Sequence, residues 1–192
     1  MDPTERARLC LAGALPRDFV RGLEEQLAPV RVVCPQIRWT PPETLHLTLV
    51  FLGLVDGARV EGLTRALAAI AHRHRPLALE LAGMEILGPP RSPRVLAASL
   101  RGEVRGLQSL VEDARAAVEA SVTLEPPRPF RPHLTVARSR GQSGDPLLAR
   151  CRAVLAESIA GAFRLERIVL FRSETLPGGA VHTPIEAWTL GA

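Results

Sequence analysis

Short apolar strands alternating with amphipathic helices predict an α+β or α/β fold for these 192 residues. A second observation shapes that fold. The plan His-Leu-Thr-hydrophobe occurs twice, in "HLTLVFLG" from His46 and in "HLTVARSR" from His133, and 133 − 46 puts the copies 87 residues apart. Each copy follows a proline-containing stretch and lies near a long helix. This points to an internal duplication: a single domain over 1–192 made of two similar lobes, with one HLT strand at 46–49 and the other at 133–136. No low-complexity segment or long linker divides the chain.

The elements follow in order. "RARLCLAGALP" is an apolar run stopped by Pro16 and reads as the first strand. In "RDFVRGLEEQLAPV", Phe19, Leu23 and Leu27 recur at helical spacing. "IRWT" is a strand fragment ended by Pro41-Pro42. "LHLTLVFLGLV" is apolar and β-branched, and Asp56-Gly57 turns the chain after it. "ARVEGLTRALAAIAHRH" predicts a helix that Pro76 ends. "LALELAGMEIL" and "RVLAASL" predict strands flanking the loop "GPPRSP", and "EVRGLQSLVEDARAAVEA" a second long helix. Beyond "EPPRPFRP" come the strand "HLTVARS", the loop "RGQSGD" and a third amphipathic stretch, "PLLARCRAVLAESIA". "FRLERIVLFRSE" predicts one strand and "IEAWTL" the last.

Composition narrows the chemistry. Apolar residues make up 46% and charged residues 23%, as in soluble globular proteins. No apolar run approaches the roughly 20 residues of a membrane helix. The start, "MDPTERARLC", lacks the basic-then-apolar plan of a secretion signal, so a cytoplasmic location is expected. Cys10, Cys34 and Cys151 show no CxxC spacing, and neither a disulfide nor a zinc knuckle is expected. All 24 basic residues are Arg. Without Lys there is no Walker-type phosphate lysine, no Schiff base and no lysyl-nucleotide intermediate; without Tyr there is no tyrosine nucleophile. The arginines support a preference for anionic substrates, and by themselves are no nucleic-acid footprint.

In a strand, residues i and i+2 share a face. His46 and Thr48 therefore point one way, as do His133 and Thr135, while Leu47, Leu49, Leu134 and Val136 point to the core. If two such strands line one groove, two imidazoles and two hydroxyls converge there. That set suits phosphoryl chemistry without a metal. A neutral imidazole takes a proton from attacking water, an imidazolium gives one to the departing oxygen, and hydroxyls hold the non-bridging oxygens. Arg138, five residues beyond His133, falls on the opposite parity of a regular strand. A strand end or bulge would bring it round to the phosphate; otherwise it faces solvent. A single His in an apolar strand is more often structural, and it is the recurrence that argues for function.

These features resemble the two-histidine phosphoesterases, and specifically the RNA 2′,3′-cyclic phosphodiesterases of the LigT/ThpR family, historically called 2′-5′ RNA ligases. The likeness runs through "RLCLAGALP", "RWTPPETLHLTLVFLG", "GPPRSPRVLAASL", "PFRPHLTVARSR" and "IVLFRSETLPGGAVHTPI". It implies an α+β, bilobal fold of two pseudo-symmetric halves, each with an antiparallel sheet and helices, around a central groove. It implies metal-free, cofactor-free hydrolysis of a 2′,3′-cyclic phosphate at an RNA 3′ end, or on a small cyclic nucleotide, to a 2′-phosphate. The expected protein is monomeric and away from membranes. By the same likeness His46 is the proton donor and His133 the proton acceptor, Thr48 and Thr135 hold the phosphate, and Arg138 assists. Phe130 and Trp39 are candidates for stacking a base, with the core the better reading for Trp39. Cys10, Phe171 and His182 stand where relatives often carry aromatic residues, and His182 is placed to line the groove. His72 and His74, at a helix end, are expected to face solvent.

Two rivals stand beside hydrolysis. A phosphate-binding module would grip an RNA end or nucleotide with the same histidines and show no turnover. A metal-dependent phosphoesterase would need carboxylates, but Glu43 and Glu125 lie in proline-rich loops outside the HLT copies. Weak, reversible 2′-5′ joining is compatible with the hydrolytic site.

Overall fold

The computed structural model describes residues 5–89, 91–126, 129–141, 143–156, 159–176 and 179–192, without the side chains of 175, 176 and 179. Four helices and nine strands follow the chain as β1 (Arg6–Gly13), α1 (Arg17–Val33), β2 (Arg38–Trp39), β3 (Leu47–Asp56), α2 (Gly57–Arg73), β4 (Leu77–Leu87), β5 (Val95–Gly102), α3 (Val104–Glu119), β6 (His133–Arg138), α4 (Leu147–Leu155), β7 (Ala162–Leu165), β8 (Arg167–Leu176) and β9 (Gly179–Thr189). A 3₁₀ turn at Pro42–Thr44 leads into β3.

All strand pairings are antiparallel, in the order β7-β4-β5-β6-β3-β1-β8-β9, with β2 added to β6. The eight-strand path falls into two halves of four, and β2 adds a fifth strand to the half that holds β6. The halves meet at β3 and β6 through one residue pair, Leu47 with Leu134, both fully buried. One half, β4 to β7, comes from the continuous stretch Leu77–Leu165, whereas the other joins β1 and β3 to β8 and β9 from the end of the chain. The helices bury their apolar stripes in the same core. These are Leu23, Leu27 and Val30 of α1, Leu63, Leu67 and Ile70 of α2, and Leu107, Leu110 and Ala114 of α3.

The HLT strands share an irregularity. On β3, Ala12 pairs with Thr48 and Leu11 with Val50, leaving Leu49 as an additional residue. On β6, Ala97 pairs with Thr135 and Leu96 with Ala137, leaving Val136 over. Both bulges begin one residue after the Thr, and in each two successive side chains turn inward: Leu49 and Val50, Val136 and Ala137. A bulge inverts the alternation beyond it.

Three expectations need correcting. "FRLERIVLFRSE" is two strands rather than one. β7 pairs with β4 and β8 with β1, so the chain crosses from one half-sheet to the other at Glu166. The last strand begins well before "IEAWTL", because residues 179–189 pair along nearly all of β8. His74 does not face solvent: its side chain is 14% exposed and its Nε2 lies 2.9 Å from Asp113 Oδ2 on α3. That contact ties the end of α2 to its neighbour. His72 is exposed and its Nδ1 meets the Ala192 carbonyl. The cysteines are free, with Cys10 and Cys151 buried and Cys34 half-buried.

Candidate active site

The site grows from the seam between the half-sheets. Antiparallel pairing of Leu47 with Leu134, continued one step either way, sets His46 against Thr135 and Thr48 against His133. Directly opposed residues of such a pair have Cβ atoms roughly 5 Å apart. The two His-Thr pairs therefore face one another as a compact quadrilateral, each imidazole across from the other strand's hydroxyl. All four side chains are half-buried, while Leu47 and Leu134 between them are sealed in the core.

The backbone gives both rings the same tautomer. His46 Nδ1 lies 2.7 Å from the Thr44 carbonyl and His133 Nδ1 lies 2.7 Å from the Arg131 carbonyl. A carbonyl only accepts, so each Nδ1 carries the proton and donates it. Each Nε2 is then left as the working nitrogen, basic when the ring is neutral and acidic when it is protonated.

Surroundings distinguish the rings. Burial holds His46 below the usual imidazole value; its hydrogen bond to Thr44 opposes this, and the positive charges of His182, Arg138 and His133 add to it. Those three groups are thus within electrostatic reach of His46. The bulge after Thr135 settles the parity of Arg138. Three residues further on, its guanidinium shares the face of Thr135, and Nη2 lies 3.5 Å from Thr135 Oγ1. Partial loss of water and the like charge of Arg38 lower Arg138 below its ordinary value, while it remains a cation.

His182 lines the site. Its ring meets that of His46 edge-on at 4.7 Å, and its Nδ1 is hydrogen-bonded to Ser173 Oγ at 2.8 Å. Ser173 Oγ also lies 3.5 Å from Cys10 Sγ. Burial, and after it Arg138, lower His182; burial raises the Cys10 thiol despite its contact with Ser173, so this thiol is not activated. Phe171 stands 6.2 Å from His46 and 5.9 Å from His182, ring centre to ring centre.

The two other aromatic candidates have different surroundings. Phe130 is partly buried against the core, and no ring contact among the described residues links it to the histidines. Trp39 is structural: it packs on the core, its indole N–H donates to the Cys34 carbonyl at 3.0 Å, and Arg31 lies 5.5 Å from its ring. Sequence reasoning passed over Phe51. Past the β3 bulge it takes the place that Arg138 takes past the β6 bulge. It pairs with Cys10, which pairs on its other side with Phe171, so all three share the groove face. Phe51 is 71% exposed, an open ring beside a phosphate-sized polar site. Among the described residues no three His, Cys, Asp or Glu side chains gather as metal ligands would.

Comparison with known proteins identifies the family. The model of the LigT like Phosphoesterase family matches residues 14–97 and 100–182. A Thermus thermophilus protein named RNA 2′,3′-cyclic phosphodiesterase is 33% identical over 195 residues, covering 95% of this chain and 90% of the relative. One of the same name from Methanothermobacter thermautotrophicus is 25% identical over 177 residues, covering 91% and 92%. The crystal structure of TT0787 of Thermus thermophilus aligns with a TM-score of 0.80 and 28% identity over 96% of this chain and 98% of that one. Escherichia coli LigT complexed with 3′-AMP aligns at 0.72 and 26% identity, over 98% and 100%. With both HLT segments inside the matched residues, the chain belongs to the LigT-like phosphoesterase family.

Proposed function

We propose that this protein hydrolyses the 2′,3′-cyclic phosphodiester at an RNA 3′ end, or on a small cyclic nucleotide, to a 2′-phosphomonoester. The observation that supports this reading is the pair of imidazoles flanking the Leu47–Leu134 seam, each held at Nδ1 by the same kind of carbonyl contact. The name shared by the relatives, RNA 2′,3′-cyclic phosphodiesterase, supports the substrate class.

In this mechanism the phosphate sits between the rings. Thr48, Thr135 and Arg138 donate to its non-bridging oxygens. His133 Nε2 takes a proton from water as the water oxygen bonds to phosphorus, and the bond from phosphorus to O3′ breaks. His46 Nε2 gives its proton to O3′, leaving a 3′-hydroxyl and a 2′-phosphate. Each proton transfer is worth about 10²–10⁴-fold in rate. Phe51 and Phe171 offer ring faces to the terminal base, with His182 at the edge and Phe130 as a further candidate. With the 5′-hydroxyl of a second strand in place of water, the same groups account for weak 2′-5′ joining: O5′ loses its proton to His133 and bonds to phosphorus, the bond to O3′ breaks, and His46 protonates O3′. The chain works as a single unit of two duplicated lobes, a reading supported by the matching bulges on β3 and β6.

Product analysis by phosphorus NMR on an oligonucleotide ending in a cyclic phosphate tests the reading. A 2′-phosphate is the expected product. A 3′-phosphate would reverse the leaving group, and tight binding without turnover would make the site a binding module.

A further inference from the structure

Past the histidines, β6 runs into a feature that the reaction at phosphorus does not use. Arg38, Arg94, Arg138 and Arg140, with Val95 and Ser139, line an open cavity of about 290 Å³, at the small end of ligand pockets. The cavity joins the site through Arg138, which reaches Thr135 on one side and lines the cavity on the other. Arg38 stands directly across the β2–β6 ladder from Arg138, so the two guanidinium groups share a face. Like charges so placed repel.

Nothing among the described residues offsets this concentration of charge. Several arginines elsewhere, among them Arg6, Arg31, Arg101 and Arg172, close on carboxylates, while others stand singly. Among the described residues no carboxylate pairs with Arg38, Arg94, Arg138 or Arg140. Hydrogen bonds hold the backbone that carries the cluster, and one of its side chains. The buried Ser139 donates its backbone N–H to the Arg94 carbonyl at 2.9 Å and its hydroxyl to the Gly141 carbonyl at 2.8 Å. Arg140 Nε donates to the Gln36 carbonyl at 2.7 Å, leaving its terminal nitrogens to the cavity. Guanidinium groups gathered round one cavity without a carboxylate partner are complementary to phosphate oxygens.

Resting on the proposed reaction at the two histidines, we propose that this cavity holds a backbone phosphate of the RNA strand on the 5′ side of its cyclic end. The preferred substrate is then an oligonucleotide rather than a mononucleotide.

Three substrates test this: a 2′,3′-cyclic mononucleotide, a trinucleotide ending in the same cyclic phosphate, and that trinucleotide with neutral methylphosphonate linkages. The trinucleotide is expected to exceed the mononucleotide in kcat/KM by at least about tenfold, the scale of one hydrogen bond to a charged group. The methylphosphonate form should fall back to the mononucleotide value. Arg94→Gln, alone and with Arg140→Gln, should cost about tenfold on the trinucleotide while sparing the mononucleotide. It should also flatten the salt dependence by about one phosphate contact in all, since both arginines face the same phosphate. Equal rates on all three substrates overturn the proposal, as does a preference that survives the neutral linkages or the Arg94 substitution. If the wild type turns over none of them, the reaction assigned to the histidines fails instead. The cavity is then judged by anisotropy with a labelled trinucleotide 3′-phosphate: affinity that is salt-dependent and weakened by Arg94→Gln upholds it, and affinity indifferent to both overturns it.

Discussion

The histidines are spaced by one residue pair, and that dependence can be broken without touching either ring. Leu47 and Leu134 are each 0% exposed and form the sole ladder pair between β3 and β6 among the described residues. Leu→Ala at either removes three buried carbons, about 2.4 kcal/mol at roughly 0.8 per methylene. The unfilled cavity raises this to about 3–5 kcal/mol. Against a net stability of about 5–15 kcal/mol, each single variant should stay folded at 25 °C. The two side chains share one space, so the double variant should depart from additivity by about 0.5–3 kcal/mol. Loosening the seam also moves His46 and His133 relative to each other, and a misplacement of about 1 Å can cost about 100-fold. Urea unfolding gives the stabilities, and kcat and KM on a cyclic mononucleotide give the catalytic cost under conditions where each variant is native. Leu63→Ala, equally buried but on α2, is the control: similar destabilisation with kcat intact. Full kcat in Leu47→Ala and Leu134→Ala, or strict additivity of the pair, would refute the seam as the element that sets the spacing.

Three other outcomes are expected. His46→Ala and His133→Ala should each lower kcat by about 10²–10⁴-fold with unchanged circular dichroism; a loss under tenfold in either removes it from proton transfer. Thr48→Ala and Thr135→Ala should cost less than either histidine, because each removes one phosphate contact, and losses equal to the histidine variants would give the hydroxyls a larger role. Stability should fall on acidification. His46 and His182 are held below their ordinary values by burial, so between the folded value and about 6.5 the unfolded chain binds more protons, and stability rises with pH through that window. Urea midpoints should drop as pH falls from 7 to 5, and His46→Ala should shrink the drop; an unchanged drop in that variant would contradict the burial.

The sequence carried the recurring His-x-Thr plan because period-two alternation is local and survives translation into strands. Long helices were legible for the same reason: Leu23 and Leu27, or Leu107 and Ala114, recur at the spacing of one helical face. What escaped were features fixed by partners. Whether Arg138 faces the phosphate depends on a bulge that only pairing with β5 defines. The trace was still present: Leu49-Val50 and Val136-Ala137 each place two apolar residues where alternation calls for one, at the same distance after the Thr. Phe51 was hidden by that break, since it reads as one more core residue in "LVFLG". The change of half-sheet at Glu166 left no local mark, because β7 and β8 have similar composition and differ only in the strands that receive them. His74 looked exposed at a helix end until Asp113 of α3 was placed beside it.

The assignment of donor and acceptor turns on an apparent conflict. The carbonyls of Thr44 and Arg131 make the rings alike, and burial, with the nearby positive charges, holds His46 below the usual imidazole value, which is the wrong bias for a donor in the free protein. The substrate corrects it. A phosphodiester anion beside His46 favours the imidazolium and counters the repulsion from His182, Arg138 and His133 that helps to hold His46 down. Protonation and anion binding are then linked, each strengthening the other by the same factor. A non-hydrolysable phosphodiester keeps one charge from pH 5 to 8, so its affinity reports the protein alone. That affinity should weaken as pH rises and His46 loses its proton. In His46→Ala the dependence should flatten to whatever the other imidazoles contribute. Affinity that held steady or rose with pH in the wild type would mean that His46 meets the phosphate in its neutral form, and the donor would have to be sought at His133.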